Sequence, residues 1–125
     1  MTRREDAGHL GEDLAARYLQ RHGYRVLHRN YRCRLGEIDL IVDGPEGLVF
    51  VEVRTKRRPC LFSPEETVTR AKALRVATVA EHYLASTGLA ERPWRVDVVA
   101  VELSAEGDAV RVEQFRDVTS DVMAG

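Results

Sequence analysis

The sequence predicts an α/β domain, a central mixed β-sheet flanked by helices. Three features carry that expectation. An amphipathic stretch of helical period opens the chain. Two strand-forming runs joined by a tight loop follow, Gly36 to Arg54 (GEIDLIVDGPEGLVFVEVR). A second helical stretch then precedes a long apolar run, Trp94 to Leu103. At 125 residues the chain should be one domain, able to bury roughly two thirds of its unfolded surface.

The first helix opens at Thr2 with T-R-R-E, a capping box in which Glu5 reaches back to the helix start. Ala7, Leu10, Leu14 and Tyr18, joined by Gly11, Ala15 and Leu19, recur at helical spacing, and the stripe ends at Gly23. Arg21 and His22 occupy the last turn, where cations suit the helix dipole. Glu12 falls roughly 100–120° from the middle of the stripe by the 3.6-residue period. From that edge a carboxylate can lean into a cleft beside the sheet, although spacing alone favours a surface charge.

Tyr24 to Tyr31 alternates weakly and reads as a first strand, before the basic Arg32-Cys33-Arg34. The central pair comes next, then a loop, Thr55 to Phe62, containing Pro59. Ser63-Pro64-Glu65-Glu66 starts the second helix, with Ser63 as N-cap, Pro64 at the first helical position and Glu66 closing a capping box. That helix runs to about Ser86, before Gly88, with Val68, Val76, Val79, Ala80, Tyr83 and Leu84 on its buried side. Lys72 projects within the same side. It either snorkels along apolar neighbours or faces a carboxylate cleft or a phosphate. Trp94 to Leu103 is a strand carrying Asp97, and Val110 to Arg116 pairs with it through the turn at Glu106-Gly107-Asp108. From about Val118 a frayed tail is expected.

Each central run holds an anomaly. Asp39 sits among Ile38, Leu40, Ile41 and Val42, and Glu52 among Phe50, Val51 and Val53. An unpaired charge is costly to bury. If Gly44 to Gly47 is the loop, Val42 lies opposite Val49, Asp39 opposite Glu52, and Glu37 opposite Arg54. Directly opposite residues share a face with Cβ atoms about 4.5–5.5 Å apart. Two carboxylates so placed can share a divalent cation such as Mg²⁺. The alternative is that each is an ion-pair partner of Arg54 or Lys56. Asp97 is a third strand carboxylate whose spacing ties it to neither.

Composition excludes several classes. No apolar run approaches the eighteen residues of a membrane span, and the N-terminus lacks the apolar core of a signal peptide, so a cytoplasmic chain without membrane contact is expected. Cys33 and Cys60 stand alone, with no disulfide or zinc spacing, and the four histidines form no motif. Net charge is −1, but its distribution is uneven. Six arginines and no acid lie between Leu14 and Gly36, and Arg54, Lys56, Arg57 and Arg58 follow the second central strand. From Glu91 onward eight acids oppose four bases. One basic face is the footprint of phosphate binding, and a merely solvated surface is the alternative.

The order helix, three strands, helix, strands, with Gly11-Glu12, GEIDLIVD, LVFVEVR and SPEETVTRAK, resembles the YraN family, also called UPF0102, from about Gly8 to Phe115. That family is similar to the PD-(D/E)XK nucleases, with their restriction-endonuclease-like fold, and to archaeal Holliday-junction resolvases. The resemblance implies a nuclease dependent on Mg²⁺ or Mn²⁺, with Glu12 as the helix-borne acid, Asp39 as the metal-binding aspartate and Glu52 as the acid of the E-X-K element. Arg54 then takes the place of the lysine, with Lys56 as its substitute. Val68-Thr69 and Lys72 match the family's VT-X-X-K stretch, and Ala73 stands where glutamine commonly follows.

On this reading Arg29, Arg32, Arg34, Lys56 and Lys72 contact the phosphates of nucleic acid, DNA foremost, and branched DNA by analogy. Resolvase-like relatives often pair, which leaves a homodimer open, though no sustained exposed apolar stripe marks an interface. An arginine cannot act as a base. The competing expectation is therefore an inactive nucleic-acid-binding or adaptor protein of the same fold. A third is a protein-interaction module using the acidic C-terminal part.

Overall fold

The computed structural model describes residues 3–58 and 70–119. Its elements are α1 (Arg3–Arg21), β1 (Arg25–Cys33), β2 (Gly36–Gly44), β3 (Gly47–Arg57), α2 (Arg70–Thr87), β4 (Trp94–Leu103) and β5 (Ala109–Phe115). The strands form one sheet in the order β1-β2-β3-β4-β5, antiparallel except for the parallel β3–β4 pair that α2 bridges. This is the expected α/β architecture, a mixed sheet flanked by helices, and it is consistent with a restriction-endonuclease-like arrangement. The capping boxes at Thr2 and Ser63 and the buried position of Val68 fall outside the described residues. Among the described residues no helix is long and apolar enough to cross a membrane.

Alternation along the strands splits the core in two. On one face, Ala15, Ala16 and Leu19 of α1 pack on Leu40, Val42, Val49, Val51, Val99 and Val101. On the other, Val76, Val79, Ala80, Tyr83 and Leu84 of α2 pack on Ile41, Leu48, Phe50 and Val96. β2 and β3 are apolar on both faces because both faces are covered.

Details differ from the sequence expectation. β1 runs to Cys33, with a register shift between Val26 and His28 and a positive φ of 54° at Asn30. Its weak alternation follows from those two irregularities, which put both His28 and Tyr31 against the Tyr83 ring. β3 continues to Arg57, through part of the expected loop. The expected fraying from about Val118 does not begin there. The Val118 N–H donates to the Val96 carbonyl at 2.8 Å, and Thr119 is buried. Asp97 is fully buried and satisfied, accepting from Arg95 (2.9 Å), Gln114 (2.7 Å) and the Asp117 backbone N–H (2.9 Å), so it is a structural anchor.

Gly11 explains part of the Gly-Glu pair. A Cβ there would fall on the Thr55 side chain of β3, so only glycine lets α1 lie this close to the sheet. Replacing Gly11 by Ala should therefore lower the thermal midpoint, even though alanine favours helix by about 1 kcal/mol, because overpacking costs about 1–3 kcal/mol. Thermal unfolding followed by circular dichroism checks the sign.

Candidate functional site

The β2–β3 ladder keeps the expected register, Val42 opposite Val49, as far as Leu40 opposite Val51. Beyond that pair the two strands part. β2 continues against β1 alone, with Glu37 beside Arg32, while β3 continues against β4, with Glu52 beside Val98. Asp39 and Glu52 stand at this fork. Glu37 is not opposite Arg54 as expected. It faces Arg32 and pairs with it at 2.9 Å. Ile38 packs in the same cluster as Ile41, so strict alternation breaks between residues 38 and 40, where the strand turns Asp39 toward the gap. Its carboxylate accepts the Val53 N–H at 2.7 Å, taking the place that a β2 carbonyl would fill in a continuous ladder.

Asp39 and Glu52 line one open cavity of about 260 Å³, with Gly36 and Glu37 from β2 and Lys72, Arg75 and Val76 from α2. The wall opposite the two acids is thus α2, where the sequence placed the cleft beside the first helix. Lys72 takes the cleft-facing alternative. Arg75 was not singled out from the sequence, and its only signal is its place one turn after Lys72. Ala73 is buried on the inner side of the helix.

The electrostatics single out Asp39. Its pKa is pushed up from 3.8 to about 7, first by burial and then by the Glu52 charge, with smaller contributions from Glu12 and Glu37 and an opposing one from the Val53 N–H. Other strand carboxylates go the other way. Arg92 holds Asp43 below the usual range, and Arg58 does the same for Glu102. Glu52 receives the Arg54 guanidinium at 3.3 Å. Glu12 accepts from the Asn30 side chain at 3.2 Å, and Asn30 lies between the β1 residues that pair with Ile38 and Leu40. Glu12 is not among the residues that line the cavity, although its charge reaches Asp39.

The predicted phosphate contacts are scattered. Arg29 is held by Asp13 at 2.6 Å on the α1 side, Arg32 by Glu37, and Arg34 lies exposed in the β1–β2 turn. Lys56 follows Arg54 along the same face of β3. Among the described residues no group of three His, Cys, Asp or Glu side chains is gathered as a metal cage. Two hard oxygen donors with a like-charge conflict do fit a cation that keeps most of its waters, as Mg²⁺ does.

The family model described as uncharacterised protein family UPF0102 matches residues 11–101. The chain belongs to that family. Relatives named UPF0102 protein include one from Moorella thermoacetica, 48% identical over 93% of this chain and 96% of its own, and one from Nitrosococcus oceani, 46% identical over 90% of each. A solved structure of Pyrococcus furiosus SfsA in complex with Ca²⁺ matches 84% of this chain and about 60% of its own length at 12% identity, with a TM-score of 0.37, a likeness too distant to bear on the site.

The raised Asp39 pKa ties its proton to folding stability. The folded state holds this proton up to about pH 7, while the unfolded chain releases it near 3.8. Stability therefore falls as pH rises between those values, and the whole penalty stands above pH 7. Asp39→Asn keeps an oxygen for the Val53 N–H but carries no charge. In chelator-treated protein it should melt a few °C above wild type at pH 8, about 1 kcal/mol or more at the usual conversion, with the gap closing toward pH 4. Paired melts at the two pH values check it.

Proposed function

We propose that this UPF0102 protein is a metal-dependent phosphodiesterase of nucleic acid, DNA foremost, with Asp39 and Glu52 as the pair that holds Mg²⁺ or Mn²⁺. The observation that carries the reading is the placement of both carboxylates on one cavity in mutual repulsion. Folding alone has no use for such a conflict, and a divalent cation relieves it. When bound, the cation would neutralise charge on the scissile phosphate and acidify a nearby water.

The chain's own side chains supply the rest. Glu12, held on Asn30, would join through water. Arg54 fixes Glu52 and would stabilise negative charge building on the phosphate, but it stays charged at any physiological pH and cannot accept a proton. Lys56, two residues on along the same face of β3, would take the lysine's part in its stead. Lys72 and Arg75 would hold the phosphate from the α2 wall. Arg29, Arg32 and Arg34 would contact the backbone farther out, giving salt-dependent binding that reads no bases.

One observation favours a second reading, a protein that binds nucleic acid without cutting it. Arg54 stands in the lysine's place and spends its charge on Glu52 at 3.3 Å.

Incubating labelled linear and branched DNA with the protein and Mn²⁺ separates the readings. The nuclease should cut, and Asp39→Ala or Glu52→Ala should slow cutting about 100-fold or more. Retention of DNA without any cutting by wild type selects the second reading, and undiminished cutting by both variants removes these residues from the site. In the same preparations Mn²⁺ should raise the melting temperature of wild type and leave Asp39→Ala unmoved.

A further inference from the structure

We infer that His28 and Tyr31 of β1 form an aromatic ledge on which the bases of a single nucleic-acid strand stack as its backbone enters the Asp39–Glu52 cavity. The inference rests on the nucleic-acid reading above and names the strand state that the site would take, single strand in preference to duplex.

Two departures from regular strand geometry build the ledge. Val26 pairs with Val42 and packs in the α1-side core, so in an unbroken strand His28, two residues on, would turn to that same side. The register shift between them puts His28 opposite Ile41 instead, on the α2 side. Tyr31, three residues farther, would by alternation leave the α2 side again, yet it pairs with Ile38 and packs in the α2-side core. The break that keeps it there centres on Asn30, with its positive φ. Arg29 pairs with Leu40 and Tyr31 with Ile38, so Asn30 lies level with Asp39. One step across two strands thus turns the aspartate toward the cavity and the phenol ring to the cavity's side of the sheet. Edge strands often carry irregularities that refuse pairing with another chain. That accounts for a distorted β1 but not for the delivery of two rings to one side.

Both rings meet Tyr83 in T-shaped contacts, with centroids 5.4 Å away for His28 and 5.2 Å for Tyr31. Tyr83 is buried, Tyr31 half-buried and His28 exposed, so the cluster grades from core to solvent. No described ring stacks in parallel on His28, whose contact with Tyr31 is also T-shaped. By contrast, the exposed His22 is already stacked on Tyr18 at 4.1 Å, one turn away on α1, an arrangement that needs no break in the backbone. The ledge also leads to the cavity. On α2, Arg75, Val79 and Tyr83 follow one another at four-residue spacing and form one ridge. Arg75 lines the cavity, a Cβ on Gly36 would lie 3.2 Å from Val79, and Tyr83 carries the two rings. Tyr31 stands two residues before Cys33, the partner of Gly36, which is about 7 Å along the strand. A strand whose phosphate is held by Lys72 and Arg75 would therefore carry its neighbouring bases onto the rings. Such stacking tolerates any sequence, because every base has a π-face, but it needs bases that are not already stacked within a duplex.

The test separates bases from phosphates. Wild type, His28→Ala, His28→Phe and the control His22→Ala are titrated by fluorescence anisotropy against a labelled oligothymidylate, an abasic strand of equal length and a duplex. The titrations are run at low salt without divalent cation. The two single strands carry the same phosphate charge, so the ratio of their affinities reports the bases alone. Wild type, His28→Phe and His22→Ala should hold the oligothymidylate about tenfold more tightly than the abasic strand. His28→Ala should lower that ratio about fivefold, the loss of one stacked base, and leave duplex affinity unchanged. An unaltered ratio in His28→Ala, an equal loss in His22→Ala or His28→Phe, a matching loss on duplex, or equal affinity of wild type for the two single strands overturns the ledge and leaves the nuclease reading standing. Failure of wild type to hold any of the three DNAs overturns both.

Discussion

The site depends on one hydrogen bond, from the Val53 backbone N–H to the Asp39 carboxylate. Where β2 and β3 part, the ladder loses its acceptors, and the aspartate side chain supplies the first missing one. That bond favours the ionised form, while burial and Glu52 oppose it, and the opposition prevails. A side chain that closes a sheet defect is thereby also held in electrostatic conflict. The same divergence exposes the cavity on which the conflict can be relieved.

Much of this was legible in the chain. The apolar runs around Asp39 and Glu52, with Gly44 and Gly47 between them, fix the register, because a one-residue slip would turn every side chain to the wrong face. The α2 stripe at Val76, Val79, Ala80, Tyr83 and Leu84 was also readable, since helical period survives single-sequence reading well. What failed was whatever depends on breaks in period. The shift at Leu27 has no residue-type signal of its own, and the only sign of the positive φ at Asn30 is that asparagine tolerates the left-handed region. The opposition of Glu37 and Arg54 was extrapolated through the fork, past the point where the ladder ends. The side of the sheet on which the cleft opens could not be read either, because it depends on how α2 crosses β2 and β3, a long-range matter.

The uneven charge distribution gives a weaker basic face than its sequence count suggests. Asp13 meets Arg29, Glu37 meets Arg32 and Glu102 meets Arg58, so acids outside the basic stretches take up part of their charge. Exposed pairs of this kind contribute little to stability, and an approaching polyanion can exchange with them at modest cost. At the cavity the arrangement differs. There three acids, Glu37, Asp39 and Glu52, line one cavity with Lys72 and Arg75, so charge of both signs is concentrated at one point while the molecule as a whole stays near neutral.

The parallel β3–β4 seam also has a consequence for how the molecule assembles. β1, β2 and the first half of β3 form a meander whose pairings join near neighbours in the chain, closed by short turns. The second half of β3, from Glu52 onward, finds its only strand partner among the described residues in β4, with α2 in between. Closing a long loop costs entropy before any contact rewards it. A newly made chain can thus settle the Asp39 side of the fork locally, but it completes the Glu52 side only after the helix has crossed over.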